Sequence, residues 1–235
     1  MTDVKDFFFN SNQQSIRKVN QQKNLGIIFD EHLNLNSHHI QTLKSCYGIL
    51  HSLSHLKKSL SKQNKTILIN NLIFSKMYHG NVITHSLNSY WTKKYNSLFK
   101  TCLSFIHGKY IHSSDMNHCN ILNPYHTWLH SILTLTFKAI FHSNSPLHLQ
   151  LNLQTPSAFN LRSDGCNRLP TVLLDKSFNS TASTLFNALP DSIRINASSQ
   201  GAKQFSNTIK KILLTTQSDY LAAPPAAAFS RAFPP

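Results

Sequence analysis

A chain of 235 residues suffices for one ordinary domain or two small ones, and 40% hydrophobic against 14% charged residues excludes disorder throughout. The charge is lopsided, with 23 Lys+Arg against 9 Asp+Glu and a formal net charge of +14. Glu31 is the only glutamate and Asp30-Glu31 the only adjacent acidic pair, so a site holding Mg²⁺ with several carboxylates has little to be built from.

Lys, Asn, Ile, Phe and Tyr have AT-rich codons, and base composition accounts for part of the basicity. It accounts less well for the scarcity of Asp and Glu. The remaining excess points to a polyanionic partner, nucleic acid before a membrane surface. Cys46, Cys102, Cys119 and Cys166 contain no CxxC pair, which reads as free thiols rather than a disulfide framework or zinc ribbon. The N-terminal MTDVKDFFFN lacks the basic start and long apolar run of a secretory signal. The longest apolar stretch, Ile132 to Phe141, is broken by Thr134, Thr136 and Lys138. The expectation is an intracellular chain, cytoplasmic or nuclear, with no membrane partner.

Asp6 to Phe9, Ser15 to Val19 and Asn24 to Phe29 read as three short strands. From Ser37 the period changes to 3.6. Ile40, Leu43, Tyr47, Leu50, Leu53 and Leu56 predict one apolar helical stripe. Ser61 is placed to cap a second helix carrying Leu68, Leu72, Phe74 and Met77. A third begins near Ser89, repeats through Trp91, Tyr95, Leu98, Cys102 and Phe105, and stops at Gly108. Asn123-Pro124 starts a fourth through Trp128, Ile132, Leu135 and Phe141, and Ser145-Pro146 a short fifth. Residues 152–175 read as irregular, with an extended stretch over Thr171 to Leu174. Helices over Ser180 to Ala188 and Ser199 to Leu214 follow, the second with Phe205, Ile209 and Ile212 opposite Lys203, Lys210 and Lys211. The Ala/Pro-rich segment 221–235 reads as a disordered tail.

Ten lysines and no acid lie between Glu31 and Asp115. Lys57, Lys58, Lys62, Lys65, Lys93, Lys94 and Lys100 are the candidate nucleic-acid-binding residues. Lysine is a hydrated point charge suited to phosphate contact without base reading. Lys58, Lys62 and Lys65 would share one helical face if the second helix begins early. His126 and His130 stand at i, i+4 in HTWLH, but Thr127 occupies the place of a zincin's glutamate, so no metal site and no cofactor is expected. GxSxG, GxGxxG and GxxxxGK[ST] are absent. No catalytic residue and no small-molecule substrate is assigned.

The order of several blocks resembles the C-terminal part of non-LTR retrotransposon reverse transcriptases of the Jockey and chicken-repeat type. The blocks are Lys23-Asn-Leu-Gly-Ile-Ile-Phe-Asp30 with Ser37-His-His-Ile40, then Leu56-Lys-Lys-Ser-Leu60 and Ile73-Phe-Ser-Lys-Met-Tyr78. LTLTFKAI at 133–140 follows, then Leu161-Arg-Ser163, Ser177-Phe178, Leu185-Phe-Asn-Ala-Leu-Pro190 and Ile193-Arg194. Phe186 replaces the family's usual tryptophan. The resemblance runs from about Val4 to Leu214. It implies that Lys5 is nucleotide-proximal, with Asp6 in place of the usual threonine. It also implies that Leu25-Gly26 is similar to the primer-grip turn, and that residues 36–110 are a thumb-like bundle holding template–primer duplex. The metal-binding aspartates would precede Met1.

The expected fold is therefore mainly α (α+β). Residues 1–35 form an end-of-palm β segment, 36–110 the thumb-like helical bundle, 111–220 a loop-rich C-terminal helical region and 221–235 the tail. The expected function is that of a non-catalytic remnant of an RNA-directed DNA polymerase, binding RNA or DNA duplex weakly and without sequence preference. The alternative is a domesticated basic helical protein that coats RNA or DNA.

Overall fold

Two positive-φ residues decide the first feature of the fold. The structure, a computed structural model, describes residues 9–11, 14–16, 19–84, 89–110, 121–141, 169, 178–197 and 199–220. Phe9–Ser11 (β1) pairs antiparallel with Gln14–Ile16 (β2), and Gln21–Asn24 (β3) with Ile27–Asp30 (β4). The single strand expected over Asn24 to Phe29 is thus a hairpin. Leu25 and Gly26, at φ 48° and 88°, make its two-residue turn, the backbone that matches the twist of flanking strands. Propensity hides this turn, because leucine is disfavoured in the left-handed region. Asp30 Oδ1 then accepts from the backbone N–H groups of His32 (3.2 Å) and Asn34 (2.8 Å), closing the connection to the helices.

The molecule is mainly helical beyond this point. Asn36–Ser54 (α1), the run Lys62–Leu68 (α2), Ile69–Phe74 (a π-helical turn) and Ser75–Met77 (α3), and Ser89–His107 (α5) pack side by side, with Asn81–Thr84 (α4) in the last connection. Ser61 Oγ accepts from Asn64 N–H at 3.2 Å, the expected cap. Trp91 Nε1–H donates to Asn36 Oδ1 at 2.8 Å, so α1 and α5 start at the same end. Lys65 Nζ lies 5.9 Å from the Phe105 ring, so α2 starts where α5 ends. The helices therefore run up, down and up around Cys46, Ile69, Ile73, Leu98, Phe99 and Leu103. Each large apolar side chain buried here contributes about 1.5–3 kcal/mol.

The α1 stripe is rotated from its expected position, and the next departs from expectation at Leu72. On α1 the buried line is His39, Leu43, Cys46, Leu50 and Leu53, while Ile40 and Tyr47 are exposed, as is Leu56 beyond the helix end. Histidine can occupy that line because Tyr95 Oη meets His39 Nδ1 at 3.0 Å. In the second run Phe74 and Met77 are buried as expected, joined by Ile69 and Ile73, while Leu68 is half-buried and Leu72 is exposed. The α5 stripe is buried as expected, and Gly108 follows it at φ 74°.

A second core forms where Pro124–Phe141 (α6) packs against Phe178–Asn187 (α7) and Ala202–Tyr220 (α9), with Asp191–Ala197 (α8) between them. Asn123 Oδ1 caps α6 by accepting from His126 N–H at 2.8 Å. Phe137 and Phe205 stack at 4.4 Å, and Asn187 pairs both backbone groups of Leu169 at 2.8 Å. Helix α8 has no counterpart among the expected elements; it carries Arg194, buried and paired with Asp191. The strand over Asp6 to Phe8, the helix at Ser145-Pro146, the stretch Thr171 to Leu174 and the tail lie outside the described residues. Among those described, no helix is long and apolar enough to cross a membrane.

Candidate nucleic-acid interface

An acid-free stretch becomes an interface only if its lysines gather, and here they gather in part. Lys57 and Lys58 lie exposed in the turns joining α1 to α2, and Lys62 and Lys65 occupy the first turn of α2. Helix α2 begins at its Ser61 cap rather than earlier, so Lys58 is outside the helix and does not share its face. The C-terminal end of α5 reaches this group: burial lowers the His107 pKa, and the nearby charges of Lys62 and Lys109 lower it further. Lys57, Lys58, Lys62, Lys65, His107 and Lys109 therefore form one basic end of the bundle.

Lys93, Lys100 and His107 repeat every seven residues along α5 on the side opposite its buried face. They stand about 10.5 Å apart, so Lys93 lies about 21 Å from the basic end. Lys94 projects from a different part of α5, its Nζ 5.4 Å from the Tyr90 ring. The result is a basic end with a lysine line leading away from it, not a single continuous patch. Residues 32 to 110 contain no Asp or Glu, so these cations repel one another with no carboxylate from their own segment between them. Lys5 lies outside the described residues.

The opposite end of the bundle holds a second basic group that spacing along the chain does not reveal. Leu25-Gly26 sits there, with Leu25 87% exposed. Gly26, Lys23, His38, Gln41, Thr42, Ser45, Ser75, Lys76 and His79 line a cleft of about 380 Å³. His79 Nε2–H donates to the Leu25 carbonyl at 2.9 Å, and Ile28 N–H donates to His38 Nδ1 over a long 3.5 Å. The sequence signal for this group is weak: Lys23 and Lys76 belong to a basic chain, with histidines scattered among them.

No protein-family model, curated protein or solved structure matches this chain.

The remaining candidates take structural places. His126 is buried against Asn123, with Nδ1 2.9 Å from Oδ1, and burial holds its pKa down to about 4. His130 Nε2 instead meets the Ser206 carbonyl at 3.0 Å and hydroxyl at 2.9 Å, tying α6 to α9. The two histidines of HTWLH thus serve different contacts, and no group of three metal-ligating side chains occurs among the described residues. Cys46 and Cys102 are buried free thiols whose pKa values burial pushes up to about 11 and about 12, far from the thiolate a nucleophile needs.

Proposed function

We propose that this chain is a sequence-independent nucleic-acid-binding remnant of a non-LTR retrotransposon reverse transcriptase, without polymerase activity of its own. The observation that carries the binding reading is the basic end: Lys57, Lys58, Lys62 and Lys65 presented beside His107 and Lys109, with no carboxylate from residue 32 to 110. The order of sequence blocks from Lys23 to Arg194 supports the origin. A β-hairpin followed by an antiparallel helical bundle agrees with the end of a palm and a thumb. Lysine tracks phosphates and makes few bidentate base contacts, so the binding is to backbone rather than sequence. The affinity belongs in the non-specific range, on the order of 10⁻⁶ to 10⁻⁴ M near physiological salt.

The test is the salt dependence of duplex binding by the Lys57→Gln, Lys58→Gln, Lys62→Gln, Lys65→Gln variant. Every lysine that pairs with a phosphate should, once replaced, flatten the log–log slope by about 0.9 on B-DNA, and affinity should fall about equally for unrelated sequences. All four residues are exposed or half-buried, so helical circular dichroism should be unchanged. An unchanged slope would show that these lysines do not touch nucleic acid.

A further inference from the structure

We propose that the cleft between the β3–β4 turn and the starts of α1 and its neighbouring helix end is a binding site for a phosphomonoester dianion. It lies at the other end of the bundle from the basic end, the run from Lys62 to Met77 separating them by about 20 Å. It therefore goes beyond the interface described above.

The lining is one-sided chemically. Lys23 comes from β3, His38, Gln41, Thr42 and Ser45 from α1, Ser75 and Lys76 from α3 and His79 from the turn after it. Two permanent cations and two imidazoles converge, and among the described residues no carboxylate lines the cleft. Such a lining suits a group of charge about −1.5 to −2 with three acceptor oxygens better than a singly charged phosphodiester. The donors are set in advance. Ser45 Oγ holds Lys76 Nζ at 2.6 Å, leaving that ammonium two further N–H groups. Because His38 Nδ1 accepts from Ile28 N–H, its ring proton sits on Nε2. His79 spends Nε2–H on the Leu25 carbonyl, which ties the hairpin to the helix end and fixes the cleft's mouth.

The lining also limits the rest of the ligand. A volume of about 380 Å³ exceeds what phosphate alone needs and falls among small-molecule sites of roughly 300–1,000 Å³. Among the described residues the two imidazoles are the only aromatic rings that line it, and the other seven lining residues are Lys, Gly, Gln, Thr and Ser. The group attached to the phosphate is therefore polar, a sugar or the sugar-phosphate end of a nucleic-acid strand. Both burial and the charge of His79 lower the His38 pKa, and a bound dianion reverses the second effect, so ligand and proton should bind cooperatively.

The full chain is titrated with inorganic phosphate at constant ionic strength and constant pH, with the His38 and His79 ring resonances followed by NMR and assigned with His38→Gln and His79→Gln. Both should shift with one saturable curve. Lys23→Gln with Lys76→Gln should raise Kd at least tenfold, and Lys23→Arg with Lys76→Arg should keep most of the affinity. The four-lysine variant of the basic end should leave phosphate Kd unchanged. A hydroxyl-ended oligonucleotide and its 5′-phosphorylated form then identify the source. A phosphorylated end that binds more tightly and is displaced by phosphate assigns the site to strand ends. Equal binding of the two, with phosphate binding retained, assigns it to a free phosphosugar. Shifts that never saturate, or a Kd unaltered by Lys23→Gln with Lys76→Gln, would overturn the proposal.

Discussion

Gly80→Ala is the substitution on which docking of the hairpin depends most directly. Gly80 has φ +64°, and a Cβ there would stand 2.5 Å from Ile27 Cδ1 and 3.3 Å from its Cγ1. Neither side can yield easily. Ile27 is 5% exposed, and the Gly80 carbonyl accepts from Ile83 N–H at 2.9 Å, Thr84 N–H at 3.0 Å and Thr84 Oγ1 at 3.2 Å. Left-handed backbone costs an L-residue about 1–2 kcal/mol, and overpacking costs about 1–3 kcal/mol. Loss of glycine's freedom in the unfolded chain offsets about 0.4–1 kcal/mol. The net destabilisation should be about 3 kcal/mol, or roughly 6–12 °C in Tm for a chain of this size. Urea and thermal unfolding followed by far-ultraviolet circular dichroism measure it. Ile27→Val removes the clashing Cδ1 at its own cost of about 0.5–1.5 kcal/mol, so the double variant should recover about 1–2 kcal/mol relative to additivity. A Gly80→Ala cost below about 0.5 kcal/mol, or a strictly additive cycle, would refute the packing of Ile27 on this turn.

Ser61→Ala should cost about 1 kcal/mol by removing the cap on Asn64 N–H, and Ser61→Gly only a few tenths; equal losses in urea unfolding would show that the hydroxyl is not capping. Burial holds both His39 and His126 down to about 4, with the charge of His38 adding to the effect at His39. With unfolded values near 6.5, the unfolded chain binds more protons between about pH 6.5 and 4. Stability should therefore fall as pH drops through that window and level off below it, each histidine contributing a loss of about 2 kcal/mol between pH 7 and 5. Equal urea midpoints at pH 7 and pH 5 would contradict this.

Features decided within a few residues are legible from the chain. Ser61 and Asn123 cap helices because a short side-chain oxygen reaches a backbone N–H three residues on. On α5, Trp91, Tyr95, Leu98, Cys102 and Phe105 are all buried, because the opposite side carries polar residues such as Lys93, Ser97, Lys100 and Ser104. The acid-free run of lysines is likewise a property of the chain itself. Helix α1 is different. By hydropathy Ile40 suits burial as well as Leu43 does, and His38 and His39 do not. The hairpin and Tyr95 supply polar partners for the histidines, and that turns the helix. On the next run the expected Phe74 and Met77 are buried, and Leu72, within the π turn, is the exposed one. Leu25 enters the left-handed region only because β3 and β4 pair across it. The cleft is the furthest from local control. Lys23, His38, Lys76 and His79 span more than fifty positions, and no rule of spacing relates them. They meet because Gly80 lets Ile27 approach and His79 fastens the Leu25 carbonyl, which are contacts between segments that only the folded chain brings together.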